Sequence, residues 1–252
     1  MNLKTIISLW KDIYNFLFPS HCVVCGERLS SQEQHLCLYC LATLPRTNYH
    51  LVEHSPMEQL FWGQLPIEKA CSFFFYDSRE IRKIIWAVKY NSQPTVGTYL
   101  AELYAREIIP SGFFDGIDVI VPVPLAFRRR LKRGYNQCEY IGKGISRETH
   151  IPMLCDVVKR NKNNVSQTSL SRSDRQLNVD GIFTLLRPEK ITGKHVLIID
   201  DVMTTGATAL SLGKTLVRAG GVRISVLTLA MAGANKGVPA TMPNADETSS
   251  AE

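Results

Sequence analysis

The sequence predicts an α/β protein built on a mostly parallel sheet, with a small N-terminal module of the zinc-ribbon kind. Three observations carry this. From Lys69 to Met231, short apolar runs alternate with segments whose apolar residues recur at helical spacing. The run VLIIDDVMTTGATA, Val196 to Ala209, passes from an apolar strand through two acids into a turn rich in hydroxyls and on into a helix. Cys22-Val-Val-Cys25 and Cys37-Leu-Tyr-Cys40 form a double CxxC.

The elements follow in order. Ile6, Leu9, Trp10, Ile13, Phe16 and Leu17 recur at helical spacing, which predicts a short amphipathic helix packed on its own protein, with membrane-surface binding as the alternative. Lys11 and Asp12 interrupt its apolar stretch and no small-residue cleavage site follows, so it does not read as a signal peptide. The segment 45–68 carries weak periodicity and reads as a linker or irregular cover. CSFFFYD, Cys71 to Asp77, is a strand, and Arg79 to Tyr90 is a helix with Ile81, Ile84, Ile85 and Val88 on one face. A second helix fits Thr98 to Ile108, closed by Pro110. Ile117 to Pro122 is a strand, stopped by its proline. A helix is expected over 136–148, a strand over 154–159, and a strand over 181–186. Between those two strands, 160–178 is polar and aperiodic, and a loop of that length in a compact domain is either functional or a disordered insertion. The strand at Val196, its helix, and a last strand over Val222 to Met231 close the sheet. Beyond Ala232 the composition predicts a disordered tail. The expected organisation is therefore an N-terminal helix and four-cysteine zinc module over 1–44, the cover over 45–68, the α/β domain over 69–232 and the tail over 233–252.

Bulk composition narrows the classes. With 252 residues, 45% of them apolar, the chain can bury a substantial core. No stretch is apolar enough for a transmembrane span. The net charge of +6 is concentrated at Arg128, Arg129, Arg130, Lys132 and Arg133, a block that suits phosphate-bearing partners or is simply solvated. Seven cysteines, four of them in two close pairs, argue against a disulfide framework and for a reducing, cytoplasmic setting with a metal site. Cys22, Cys25, Cys37 and Cys40 can close a four-sulfur shell around structural zinc, which leaves no open position for catalysis. His21 and His35 beside them are expected to be exposed or to support the shell. Cys71, Cys138 and Cys155 are expected to be buried free thiols.

The Val196–Ala209 run describes a pocket. Ligands sit beyond the carboxyl ends of strands in open α/β sheets. Free N–H groups at a helix start favour a phosphate. Thr204, Thr205, Gly206, Ala207 and Thr208 supply that turn, and Asp200 and Asp201 beside it suit a sugar diol and a magnesium ion. An ordinary strand–turn–helix with a solvated acid pair is the competing reading.

This run resembles the binding signature of type I phosphoribosyltransferases. The double CxxC, FFFYDSREIRKIIWAVKY, PVPLAFRRRLKRGYNQ, QTSLSRSDRQLNV and DDVMTTGAT occur in this order, and together they resemble the ComF family, bacterial proteins of DNA uptake in natural transformation. The resemblance implies a sheet of the type I phosphoribosyltransferase kind that binds phosphoribosyl pyrophosphate with magnesium. Asp200 and Asp201 would face the ribose hydroxyls, and Thr204 to Thr208 would wrap the 5′-phosphate. Arg133, Gly134, Asn136 and Gln137 would neighbour the pyrophosphate, within a loop from Pro122 to Gln137. Gln167, Arg172 and Arg175 would act from a mobile loop, and Lys89 could reach the pocket. Some type I phosphoribosyltransferases carry a third acid where Thr204 stands, so removal of a proton from an acceptor must come from elsewhere here or not be needed. Cys138 stands where alanine is common.

Three functional classes follow. The first is an active phosphoribosyltransferase, including a metabolic one that transfers to a nucleobase or amine without any DNA role. The second is a pocket-bearing protein that works on single-stranded DNA with competence partners, using Arg128, Arg129, Arg130 and Lys132, with Phe127 and Tyr135 as candidate stacking partners. The third is a structural adaptor. The acid pair and phosphate turn argue against the third.

Overall fold

The computed structural model describes residues 20–90, 93–161 and 182–233. The expected N-terminal helix, the C-terminal tail and most of the 160–178 loop, with Gln167, Arg172 and Arg175, lie outside them. The helices and strands in chain order are α1 (Leu38–Ala42), α2 (Pro56–Gln59), β1 (Lys69–Phe75), α3 (Arg79–Tyr90), α4 (Thr95–Ile108), β2 (Val119–Pro122), α5 (Phe127–Arg133), α6 (Gln137–Thr149), β3 (Val158–Arg160), β4 (Phe183–Leu185), β5 (His195–Met203), α7 (Ala207–Leu216) and β6 (Arg223–Met231).

The main sheet is fully parallel, in the order β1-β6-β5-β2. Its strands are buried along nearly their whole length. That burial on both faces explains why they read as continuous apolar runs rather than alternating ones. Both sheet edges are covered. Thr47 N–H and Phe75 N–H pair with Phe73 and Pro45 carbonyls beside β1. Beside β2, Ile120 N–H reaches Pro152 O and Leu154 N–H reaches Ile120 O, each at 2.9 Å. Covered edges offer no template for pairing with another chain.

The helical face expected on α3 is the buried one: Ile81, Ile84, Ile85, Ala87 and Val88. Helices α4 and α6 pack so closely that a Cβ on Gly144 would lie 2.4 Å from Thr98 O, a contact only glycine permits. The segment 45–68 is laid down on the body: Ser55, Met57 and Phe61 are fully buried.

Three expectations need correction. The strand over 154–159 shortens to β3, which pairs antiparallel with β4 in a separate two-stranded ladder. Cys155 and Asp156 form a bend ahead of it, after the chain has bridged to the β2 edge at Met153. For the same reason Cys155, expected to be buried, is exposed, whereas Cys71 and Cys138 are buried. The 122–137 segment is not all loop either: the basic block winds into α5, which buries none of its residues. Arginine, lysine and leucine are good helix formers, and Gly134 at φ +81° supplies the left-handed residue that ends the helix.

Candidate functional site

Because the sheet is parallel, the carboxyl ends of β2 and β5 share one rim, where β5 delivers Asp200 and Asp201. Asp201 is 6% exposed and is held from both sides. Lys89 Nζ, in the last turn of α3, lies 3.1 Å from its Oδ1. Gln137 Nε2, at the start of α6, donates to its Oδ2 at 2.6 Å. Gln137 Oε1 in turn accepts from Arg133 Nη1, and the Arg133 guanidinium rests 5.1 Å from the Tyr90 ring centroid. The fold thus gathers Lys89, Arg133, Gln137, Asp200 and Asp201, which are far apart in sequence, into one connected constellation.

Asp200 has a different environment. Its Oδ1 accepts from the Asp201 N–H at 2.8 Å and from the Cys138 thiol at 3.5 Å. Burial, and then the neighbouring Asp201 carboxylate, push Asp200 up to about 7. Cys138, fully enclosed and facing both carboxylates, is pushed well up by burial first and by their charges second. It therefore stays a thiol and donates. Cys138, Asp200 and Asp201 present ligand atoms within 4.8 Å of one another.

Beyond β5 the chain turns through Thr204 and Thr205, both exposed, to Gly206 at φ +76°, where α7 begins without any side-chain cap. The first N–H groups of α7 consequently face outward with the helix dipole behind them, which is the requirement for holding an anion. Ala207 is exposed and Thr208 half-buried at this start. Leu60 of the cover segment packs alongside, 3.5 Å from where a Cβ on Gly206 would be, an ordinary contact distance.

Asn136, Gly134 and Tyr135 serve mainly to build the rim. Asn136 caps α6 by accepting from Cys138 N–H at 3.2 Å and donates to Val123 O at 3.0 Å, tying the helix to the end of β2. Tyr135 donates to Val88 O at 2.7 Å, so its ring is anchored rather than free to stack on a base. Arg128, Arg129, Arg130 and Lys132 project from α5 into solvent, with Arg130 3.8 Å from Glu139. Phe127 is 52% exposed.

The four N-terminal cysteines converge as the spacing requires. Cys22 N–H to Glu27 O and Gly26 N–H to Cys22 O close the first knuckle, and Cys37 caps α1 by accepting from Cys40 N–H. Cys25 Sγ and Cys37 Sγ are 3.7 Å apart. That matches the ~3.8 Å edge of a tetrahedron with ~2.3 Å metal–sulfur bonds, and is far beyond a disulfide. Burial opposes ionisation of Cys22, but N–H groups of Cys25, Cys37 and Val24 outweigh it and bring the thiol down to about 7. Cys40 is pushed up by burial and by the other three sulfurs. Cys22 ionises readily while Cys40 resists beside the other sulfurs, a conflict that a cation among them resolves, so the donor set fits a metal ion. Lys83 of α3 donates to Val24 O, and the His35 ring meets Tyr99 edge-on at 5.7 Å, so the module sits on the body rather than apart from it.

A cavity of about 1080 Å³, lined by Tyr49, His50, His54, Trp62 and Lys69 among others, lies at the amino end of β1. The acid pair is at the carboxyl rim, so this cavity belongs to neither the phosphate turn nor the aspartates. Sequence reasoning did not find it, because its walls come from a segment without periodicity. Among the described residues no helix is long and apolar enough to cross a membrane.

The phosphoribosyl transferase domain family matches residues 135–248, so the α/β fold is of that kind. Competence protein F of Haemophilus influenzae (strain ATCC 51907 / DSM 11121 / KW20 / Rd) is 30% identical over 224 residues, 88% of this chain and 88% of that protein. DNA utilization protein YhgH of Escherichia coli (strain K12) is 29% identical over 211 residues, 82% of this chain and 88% of that protein. Among solved structures, glutamine phosphoribosylpyrophosphate amidotransferase from B. subtilis is similar at a TM-score of 0.38 and 20% identity, covering 56% of this chain and 30% of that one.

Proposed function

The chain belongs to the ComF family, and from that premise we propose that it binds phosphoribosyl pyrophosphate at the carboxyl rim of its sheet and serves DNA uptake. One observation carries the binding half: an uncapped helix start at Gly206 stands directly beyond a buried, cation-paired aspartate. A 5′-phosphate on the 204–208 turn leaves the ribose hydroxyls against Asp200 and Asp201. The pyrophosphate then extends toward Arg133 and Gln137, where a guanidinium can grip two phosphate oxygens.

Asp200 and Asp201 offer oxygen donors of the kind magnesium prefers, and the ion, bound with the substrate, would neutralise charge between ribose and pyrophosphate. The chain's own residues position the sugar. They also offset negative charge on the leaving group as an acceptor displaces pyrophosphate at C1. No covalent protein nucleophile is needed. The four N-terminal thiols would hold structural zinc, with all four positions filled by protein.

The DNA half rests on the kinship with proteins named for DNA utilization and competence, and on Arg128, Arg129, Arg130 and Lys132 of α5, which are exposed. Pyrophosphate release from phosphoribosyl pyrophosphate, measured with magnesium against a panel of nucleobases and amines, tests whether transfer occurs. Release with one acceptor supports an enzyme. Tight binding without release supports a pocket kept for sensing.

A further inference from the structure

Helix α3 has two working faces. One flank carries Lys89, 3.1 Å from Asp201. Its outer face carries Arg79, Arg82, Lys83, Trp86 and Tyr90, all exposed, at spacings of three, one, three and four residues. Those spacings put them on a single stripe running about 16 Å along the helix axis. No acidic residue occurs on α3 after Glu80. Trp86 is 55% exposed and Tyr90 66%.

The stripe lies in a groove. Arg79, Arg82, Lys83 and Trp86 form one wall of a cleft of about 530 Å³, and the first cysteine knuckle, at His21 to Val23, forms the other. The volume falls within the ~300–1,000 Å³ of ordinary ligand clefts. Lys83 fixes the walls to each other through Val24 O. At its far end the stripe runs on into α5, because the Arg133 guanidinium lies over the Tyr90 ring.

A large aromatic side chain left in solvent among guanidinium groups has a specific chemical complement. The cations match a phosphate backbone, and the indole face matches an unpaired base; duplex DNA keeps its bases stacked and offers no such face. We propose that the outer face of α3, with the cysteine knuckle as its second wall, is a binding track for single-stranded DNA, with Trp86 as the stacking platform. This rests on the DNA-uptake reading above and moves the centre of the interface from α5 to α3. Because Lys89 follows Trp86 by three residues on the same helix, the DNA track and the proposed sugar-phosphate pocket are side by side.

The test is fluorescence anisotropy of a labelled oligo(dT) with the full chain over a range of salt. Trp86→Ala should weaken binding about tenfold, while Trp86→Phe, which keeps an aromatic face, retains most of the affinity. Arg79→Gln with Arg82→Gln should flatten the log–log salt slope by between one and two. Trp62→Ala, a change at an exposed tryptophan in the other cavity, should bind as wild type, and all variants should still melt cooperatively, since no changed side chain is buried in the core. If wild type binds and the α3 variants bind equally well while neutralising Arg128 to Arg130 removes binding, the α3 track is overturned and the DNA reading stands. If wild type has no affinity for the oligonucleotide, the DNA reading falls and the track with it.

Discussion

Lys89 and Asp201 form an ion pair of 3.1 Å that fastens the last turn of α3 to the carboxyl end of β5. The side chain of Asp201 is 8% exposed and that of Lys89 21%, so the pair is more than a surface bridge. Removing one partner leaves the other without its counter-charge in a desolvated place. Lys89→Met should therefore destabilise the protein by about 1–3 kcal/mol. Asp201→Asn should remove much of that penalty when combined with it, giving a favourable coupling in a double-mutant cycle read by urea unfolding. Strict additivity would contradict the pairing.

The state of Asp200 gives two pH dependences of opposite sign. Its carboxyl is held at about 7 by burial and by Asp201, against an ordinary value of 3.8. A group raised in the folded state binds its proton more tightly folded than unfolded, so its contribution to the stability of the free protein falls as pH rises from about 4 to 7. Asp200→Asn should consequently melt a few degrees above wild type at pH 8, with the gap closing toward pH 5. Binding of phosphoribosyl pyrophosphate with magnesium runs the other way, because it uses the ionised carboxylate. Affinity should rise from pH 6 to pH 8, with a limiting slope of about tenfold per unit below 7. A calorimetric series across that window checks both.

The cysteine cluster makes a prediction about composition. The purified protein should carry about one zinc per chain by elemental analysis, and chelation should lower its Tm. Cys40→Ser should cause the same loss as chelation, because Cys40 is buried in the shared core and cannot be replaced from solvent. Exposed Cys155 should react with a thiol reagent in the folded protein while buried Cys71 does not.

Gly206 bears a backbone requirement. Its φ of +76° disfavours any side chain, although Leu60, 3.5 Å from where a Cβ would lie, leaves room for one. Gly206→Ala should cost about 1–2 kcal/mol by thermal or urea unfolding. It should also weaken ligand binding by tilting the N–H groups of the first turn of α7. A neutral effect on both would mean the turn is not held as described.

Much of this architecture was legible because the same residues satisfied several demands together. Ile81, Ile84, Ile85 and Val88 marked both a helix and its buried face, and the VLII run marked a strand buried on both sides. The double CxxC marked four sulfurs that the fold brings together. Legibility failed where tertiary context decided. Val158 to Arg160 is β-forming in sequence, but its partner, Phe183–Leu185, lies beyond a long polar stretch, and nothing local says that the pairing is antiparallel and outside the main sheet. The basic block read as a loop because it has no apolar period, yet a helix that buries none of its residues needs none. At the site, the acids, the turn, Lys89 and the 133–137 stretch were found by motif. The links among them were not, since Gln137 bonding to Asp201 and Cys138 to Asp200 each span more than sixty residues.

The account turns on whether the rim of Asp200, Asp201 and the 204–208 turn holds a phosphorylated sugar. Isothermal titration of phosphoribosyl pyrophosphate with magnesium into wild type and Asp201→Asn decides this most directly. The account predicts saturable binding at one site in the wild type, weakened at least tenfold in a variant that melts cooperatively. Absence of binding in the wild type, or equal affinity in the two proteins, would contradict it.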